Sequence, residues 1–401
     1  MKLRMLVVAL PLLAVACQAT PTAVASPSPT QTALPPSPSP SPSSAEPTPT
    51  PQPASLTCLA KPGGGPMVVI GTAIYEVTDP THPRLLCHFA NTHVHLFTLD
   101  TLAYLRPGPA KTDVVLHSMS SGNESLVASL PFPWLGDFYN PAAWAPDGSI
   151  AASWEMRYGG PDYADPTEHI SLFAQGKTAE LEQFPTPVAD CVCRFGLAPP
   201  VLVLSPDLQY LAVGWPIGKG AVPVAVYRVS DRARIIAFDA GYTFAFWAPT
   251  GHSLLLGGQQ AAARWTPETG LVELEGAAGW QFEPGPSPDG TQVAFTAYNQ
   301  TSDPRSIRVF VYDATAKKTS RLIDQLRSEA LFVKPGWVWY FVEVACGATD
   351  TTCGPAATKS SGTVTAMNLA TRVESRVTFN SGESPTALQS GWGAGDFWPN
   401  G

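Results

Sequence analysis

Four phrases in the middle of the chain share one pattern: an apolar run, a short turn, and a second apolar run. They read WAPDGSIAASW at Trp144–Trp154, LSPDLQYLAVGW at Leu204–Trp215, WAPTGHSLLLGG at Trp247–Gly258 and PSPDGTQVAFTAY at Pro286–Tyr298. The turn is built from Ser/Ala-Pro-Asp/Thr-Gly. Proline presets φ at the first turn position, Asp suits the second, and Gly accepts the left-handed conformation that closes a bulged hairpin. The pattern therefore predicts β-hairpins. Their return at intervals of roughly 40–60 residues predicts a repeat fold, most economically a β-propeller.

A second hairpin type alternates with the first: strand, Thr/Asp/Ser-containing turn, strand. It occupies residues 73–89, 113–130, 169–184, 224–238, 261–275, 307–323 and 364–379. Period-two alternation of apolar and polar positions marks these as half-buried strands. Two degenerate copies of the first type fill the remaining gaps, at His95–Gly108 and Ala330–Val344. Before the first outer hairpin stands a lone inner strand, MVVIG at Met67–Gly71. The fold class expected is all-β, a β-propeller of six complete blades plus one that lacks its innermost strand. A ring of this kind closes by borrowing the missing strand from the other end of the chain, which removes sheet edges. Ser381–Trp398 is expected to supply it, giving seven blades; the alternative is six blades with the first hairpin appended.

The Ser-Pro-Asp-Gly-x-x-Ile/Val-Ala-Phe pattern resembles the WD-like repeats of the TolB family of periplasmic propellers. Pro288-Asp289-Gly290 with Val293-Ala294-Phe295 is the fullest copy, while Leu208 replaces Gly in the second phrase and Thr250 replaces Asp in the third. The resemblance implies a fold and says little of function, because the motif is structural. The TolB family's partner-binding N-terminal domain has no evident counterpart in this sequence.

The N-terminus adds a compartment. MKLRMLVVALPLLAVAC places Lys2 and Arg4 before a short apolar core, the layout of a secretory signal. Ala14-Val15-Ala16 followed by Cys17 resembles a bacterial lipoprotein box, with Ala14 where Leu is usual. That resemblance implies lipidation of Cys17; simple secretion is the other reading. Residues 18–55 are Pro, Ser, Thr and Ala with almost no charge or large apolar side chain, and are expected to stay extended and solvated as a tether. The expected division is therefore signal peptide 1–17, tether 18–55 and propeller 56–401, displayed on the outer side of a membrane.

The chain has 401 residues, 14% of them charged, with 33 Gly, 42 Pro and 11 Trp, a composition suited to short strands and turns. A net charge of −8 and the lack of a basic stripe argue against nucleic acid as partner. Six cysteines follow Cys17, and in an exported chain an even number suggests disulfides. Cys346 and Cys353 flank the loop CGATDTTC, Cys58 and Cys87 would pin the start of the domain to an outer strand, and Cys191 and Cys193 stay open: a bridge across one residue is strained, and a redox or metal pair has no CxxC spacing or nearby His behind it.

Other chemistry is sparse. His93 and His95 share one side of a strand at a spacing some metal sites use, without a third ligand. Asp162, Asp165 and Glu168 lie in a long acidic stretch that reads as a solvated loop, or as oxygen ligands for calcium. Trp154, Tyr158, Tyr163 and Trp215 are candidates for an aromatic binding face, Trp154 and Trp215 reading equally as wedges between blades. No Gly-x-Ser-x-Gly elbow, His-Glu-x-x-His helix or Asp-box repeat is present, and no cofactor is implied. The function expected is a non-enzymatic, monomeric binding or scaffold module. Its expected partners are an envelope protein, peptide or glycan, and the membrane through the lipid anchor. A propeller hydrolase or lyase acting on envelope glycans or peptides is the alternative.

Overall fold

The apolar runs become strands, and the turn phrases become the bends between them. The computed structural model describes residues 54–90, 92–108, 110–132, 143–157, 167–185, 200–214, 224–239, 242–248, 251–258, 263–274, 284–299, 303–347, 358–379, 385, 388 and 397–398. Among the described residues every regular element is a strand, and they fall within one compact unit, Thr50–Gly401.

Blade 1 contains β1 (Ser55–Cys58), β2 (Met67–Ile70), β3 (Ala73–Glu76) and β4 (Arg84–Ala90). Blade 2 contains β5 (Val94–Leu96), β6 (Thr101–Arg106), β7 (Thr112–Ser118) and β8 (Glu124–Leu130). Blade 3 is β9 (Ala143–Trp144), β10 (Ile150–Arg157), β11 (Thr167–Ala174) and β12 (Lys177–Pro185). Blade 4 is β13 (Val201–Leu204), β14 (Tyr210–Gly214), β15 (Ala225–Arg228) and β16 (Arg234–Ala237). Blade 5 is β17 (Tyr242–Trp247), β18 (Leu254–Gly258), β19 (Ala263–Thr266) and β20 (Gly270–Glu273). Blade 6 is β21 (Pro284–Pro286), β22 (Gln292–Asn299), β23 (Asp303–Asp313) and β24 (Lys318–Arg321). Blade 7 is β25 (Arg327–Lys334), β26 (Trp337–Ala345), β27 (Thr358–Asn368) and β28 (Glu374–Arg376). Last comes β29 (Phe397–Trp398), which returns to blade 1 and pairs with β2, Met67 opposite Trp398 and Val68 opposite Phe397. The ring thus has seven blades and is closed by the C-terminal segment, as the missing inner strand predicts.

Seven apolar clusters hold the blades together, one at each blade-to-blade interface. Leu102, Tyr104 and Val115 of blade 2 meet Leu86, Cys87 and Phe89 of blade 1, for example. Closure is visible in the cluster joining blade 7 to blade 1, where Leu331, Trp339 and Phe341 pack with Val68, Tyr75 and Val77. Each inner strand is covered on both faces by neighbouring blades, which explains continuous apolar runs such as those of β14 and β18. In blades 2 to 7 the last strand lies at the rim and is largely exposed; Leu126 of β8 is 62% and Val272 of β20 49% accessible.

The hairpin chemistry works as the residues suggest. Ser205 Oγ and Ser287 Oγ donate to Asp207 and Asp289 at 2.6 and 2.5 Å, and each Asp accepts a backbone N–H two residues on. The closing residue has positive φ in every copy: Gly148 at 69°, Gly251 at 68°, Gly290 at 69° and Leu208 at 58°. At Gly148 a Cβ would also stand 2.3 Å from the Ala128 Cβ of blade 2, so glycine is required there twice over. Leu208 bears the left-handed penalty alone. Leu208→Gly is expected to raise unfolding stability by about 0.5–1 kcal/mol, strain relief of about 1–2 kcal/mol outweighing glycine's entropic cost. Urea titration of the two proteins checks this.

Blade 1 differs from expectation in one respect. It has a fifth strand: β1 adds outside β4, with Ser55 opposite Ala90 and Cys58 opposite Cys87. A four-residue strand with burial on alternate positions is too short to stand out in a sequence that begins with a polar tether.

Candidate functional site

Antiparallel order divides the ring into two unlike ends. Connections after first and third strands share one end and are tight: residues 145–149, 205–209, 287–291 and 335–336 between first and second strands, 229–233 and 369–373 between third and fourth. Connections after second and fourth strands belong to the other end, and six of them are long in sequence, residues 131–142, 158–166, 186–200, 215–224, 274–283 and 346–357, whereas 91–93, 238–241, 259–262, 300–302 and 322–326 are as short as the tight turns. The chain enters β1 from this long-connection end, since Ser55 stands opposite the last residue of β4.

The residues singled out from the sequence fall in different places. Trp154 is 4% exposed and sits in the cluster between blades 3 and 4, so its indole is a wedge there rather than part of an open face. Glu168 corrects the acidic-loop reading. It belongs to β11, is 1% exposed and accepts a hydrogen bond from Trp154 Nε1 at 3.1 Å. Pairing of β10 with β11 puts Glu168 opposite Met156, beyond any calcium loop. Asp162, Asp165, Tyr158, Tyr163, Trp215, Cys17, Cys191 and Cys193 lie outside the described residues. Cys58 and Cys87 form a disulfide. Cys346 is disulfide-bonded, and Cys353 lies outside the described residues.

His93 and His95 flank Val94 at the start of blade 2. Burial, with a smaller contribution from His95, pushes the His93 imidazole down to about 4, so it is neutral at ordinary pH. The His95 ring meets the indole of Trp144 edge-on at 4.5 Å, which seats it in the blade 2–blade 3 contact. Among the described residues no three His, Cys, Asp or Glu side chains gather as a metal site.

Three polar clusters are new. At the tight-turn end, Gly63 and Gly65 donate their N–H groups to Glu76 Oε1 at 2.7 and 2.9 Å, and Arg84 grips Oε2. Burial pushes the Glu76 carboxyl up, but bonds from Arg84, Gly65 and Gly63 together outweigh it and hold the group below its usual range. A cavity of about 490 Å³ opens beside this loop, with Thr78, Lys334 and Pro335 on its other wall. Lys334 Nζ is already engaged by Thr78 O at 3.0 Å and lies 5.8 Å from the Trp337 ring centroid. These contacts lock blade 7 to blade 1.

The second cluster clasps blades 4 and 5. His252 Nδ1 is 2.7 Å from Asp207 Oδ2 and its Nε2 is 3.0 Å from Glu268 Oε1. The bond to Asp207, then that to Glu268, raises the His252 imidazole above its ordinary value. A raised histidine stabilises the fold fully below its unfolded value of about 6.5 and loses that contribution as pH rises through the folded value. The stability advantage of the native chain over His252→Gln is therefore expected to be larger at pH 6 than at pH 8.5. Urea unfolding at the two pH values measures it, and an advantage independent of pH would refute the clasp.

The third cluster joins Tyr104, Arg106, His117 and Glu124 in blade 2, beside Cys58 of blade 1. Tyr104 Oη donates to Glu124 Oε1 at 2.8 Å, and Arg106 Nη2 donates to Tyr104 Oη at 2.7 Å.

The fold and its ends define a seven-bladed β-propeller with a disulfide, the latter pointing to an oxidising compartment. No family model and no curated protein matches the chain. Solved propeller structures do align with it. TolB from Acinetobacter baumannii shares 14% identity over 69% of this chain and 63% of its own, with a TM-score of 0.33. Oligogalacturonate lyase from Vibrio parahaemolyticus shares 10% over 72% of this chain and 93% of its own, with a TM-score of 0.40. The β-propeller domain of the Trilobed protease from Pyrococcus furiosus shares 10% over 74% and 97%, with a TM-score of 0.37. The chain spans less than two thirds of TolB.

Proposed function

We propose that this protein is an exported, lipid-anchored β-propeller that acts as a non-enzymatic binding or scaffold module for an envelope protein, peptide or glycan. The six long connections gathered at one end carry this reading. A ring that needs only structural turns has no use for connections such as 158–166, 186–200 and 215–224, and loops on a rigid scaffold are where recognition concentrates. Tyr158, Tyr163 and Trp215 fall on these connections and are the aromatic residues assigned to contact the partner. Cys17 carries the lipid, and residues 18–55 lift the ring from the membrane.

The compact unit, residues 50–401, would be crosslinked to intact source cells and captured species identified by mass spectrometry, with released sugars and peptides assayed in parallel. Capture of one envelope species without turnover is expected, and replacing 158–166 and 215–223 by short Gly-Ser turns is expected to abolish it. Turnover of envelope material would replace this reading with an enzymatic one. Capture that survives both loop replacements would remove the long-connection end as the binding surface. Cys17→Ser is expected to move the full chain from the membrane to the soluble fraction.

A further inference from the structure

At the outer border of blades 1 and 2, three side chains from three strands lie next to one another: Cys58 at the end of β1, His117 on β7 and Glu124 at the start of β8. His117 Nε2 is 3.8 Å from Cys58 Sγ. On the far side of the ring, Nδ1 lies 3.4 Å from Glu124 Oε1, within ion-pair reach. It is out of line for a hydrogen bond and has no hydrogen-bond partner among the described residues. The His117 side chain is only 10% exposed. A buried nitrogen left in this way costs stability, so packing alone is a poor reason for histidine at this position.

This proximity has a chemical consequence. A carboxylate beside Nδ1 favours the tautomer with the proton on that nitrogen, leaving the Nε2 lone pair on the sulfur side. Glu124 is suited to the role. Burial pushes its carboxyl up, but the Tyr104 hydrogen bond and the Arg106 charge outweigh this and keep it ionised. The groups facing the imidazole are therefore the Cys58–Cys87 bridge from β1 and β4, Tyr104 and Arg106 from β6, and Glu124 from β8.

We propose that Cys58–Cys87 is a thiol-exchange site, at which His117, oriented by Glu124, takes the proton of an incoming small thiol. Cys58 is half-buried whereas Cys87 is fully buried, so attack falls on Cys58 Sγ. The thiol passes its proton to Nε2, and the resulting thiolate forms a new S–S bond to Cys58. The Cys58–Cys87 bond breaks, and Cys87 leaves as thiolate and recovers a proton from the imidazolium or solvent. A second thiol then attacks the mixed disulfide. Two thiols become one external disulfide, and the protein bridge becomes two thiols. What the bridge reinforces is the seat of β1 on β4, which also rests on its ladder and on the packing of Ala54, Leu56 and Ala60 against the blade 1–blade 2 cluster.

Two reductants separate base catalysis from access. The folded full chain would be treated with dithiothreitol or with a water-soluble phosphine, which has no proton to lose, across pH 6–9.5. Alkylation and mass spectrometry of the Cys58 and Cys87 peptides would follow the bridge. His117→Gln is expected to slow dithiothreitol about tenfold at pH 7, the gap closing near pH 9 where the reagent ionises unaided. Phosphine rates should match the unaltered protein. Glu124→Gln, which keeps the side chain's shape, is expected to slow dithiothreitol less and leave phosphine unchanged. An unaltered dithiothreitol pH profile in His117→Gln, or equal slowing of both reductants, would overturn the proposal.

Discussion

Removing residues 380–401 opens the ring: the shortened chain is expected to lose much of its stability and to associate through the inner edge of blade 1. Two anchors go together. β29 leaves, exposing the edge of β2, and unpaired edges recruit other chains. Leu388 leaves as well, fully buried between blades 7 and 1, with its N–H donating to Glu329 Oε2 at 2.8 Å. Glu329 holds φ at 52° within a bulge of β25, an unfavourable backbone for a non-glycine residue. That turn brings its carboxylate onto the returning segment. Leu388→Ala alone should cost about 2–5 kcal/mol, and the truncation more. Urea unfolding and size-exclusion chromatography test this, and a truncated monomer with an unchanged midpoint would show that closure lies elsewhere.

Trp339→Ala is expected to cost about 3–5 kcal/mol, again at the seam. The indole is 0% exposed, meets the Phe379 ring edge-on at 5.6 Å and donates Nε1–H to Pro80 O of blade 1 at 2.9 Å. The substitution leaves a cavity and an unpaired carbonyl. Trp339→Phe retains much of the ring and loses the donor, so its cost should fall nearer about 1–2 kcal/mol. If denaturant unfolding gave the two variants equal costs, the hydrogen bond rather than the packing would hold the seam.

The hairpins were legible for a simple reason. Proline, Asp and Gly act within five residues, so WAPDGSIAASW bends wherever it is placed, and all thirteen hairpin phrases, the two degenerate ones included, appear as strand pairs. The second turn type hides its rule. Its fourth position is left-handed in Arg232 at 63°, Lys317 at 50° and Arg372 at 57°, without glycine to announce it. Arg232 and Arg372 reach back to Ala174 O and Leu322 O of the preceding blade. No local pattern foretells a contact made across an interface.

Glu168 shows the same limit within the candidate site. Among acidic neighbours it reads as solvated, yet one strand's pairing buries it against Trp154. The cluster of Cys58, His117 and Glu124 is likewise invisible in one dimension, because 59 residues separate the sulfur from the imidazole. Local chemistry, acting over a few bonds, dictated strands, turns and the need for a borrowed strand, while the pairing of β29 with β2 decided seven blades over six. Which side chains became wedges, clasps or reactive neighbours depended on blades stacking around a closed ring. There, burial and opposing charges come from residues far away in the chain.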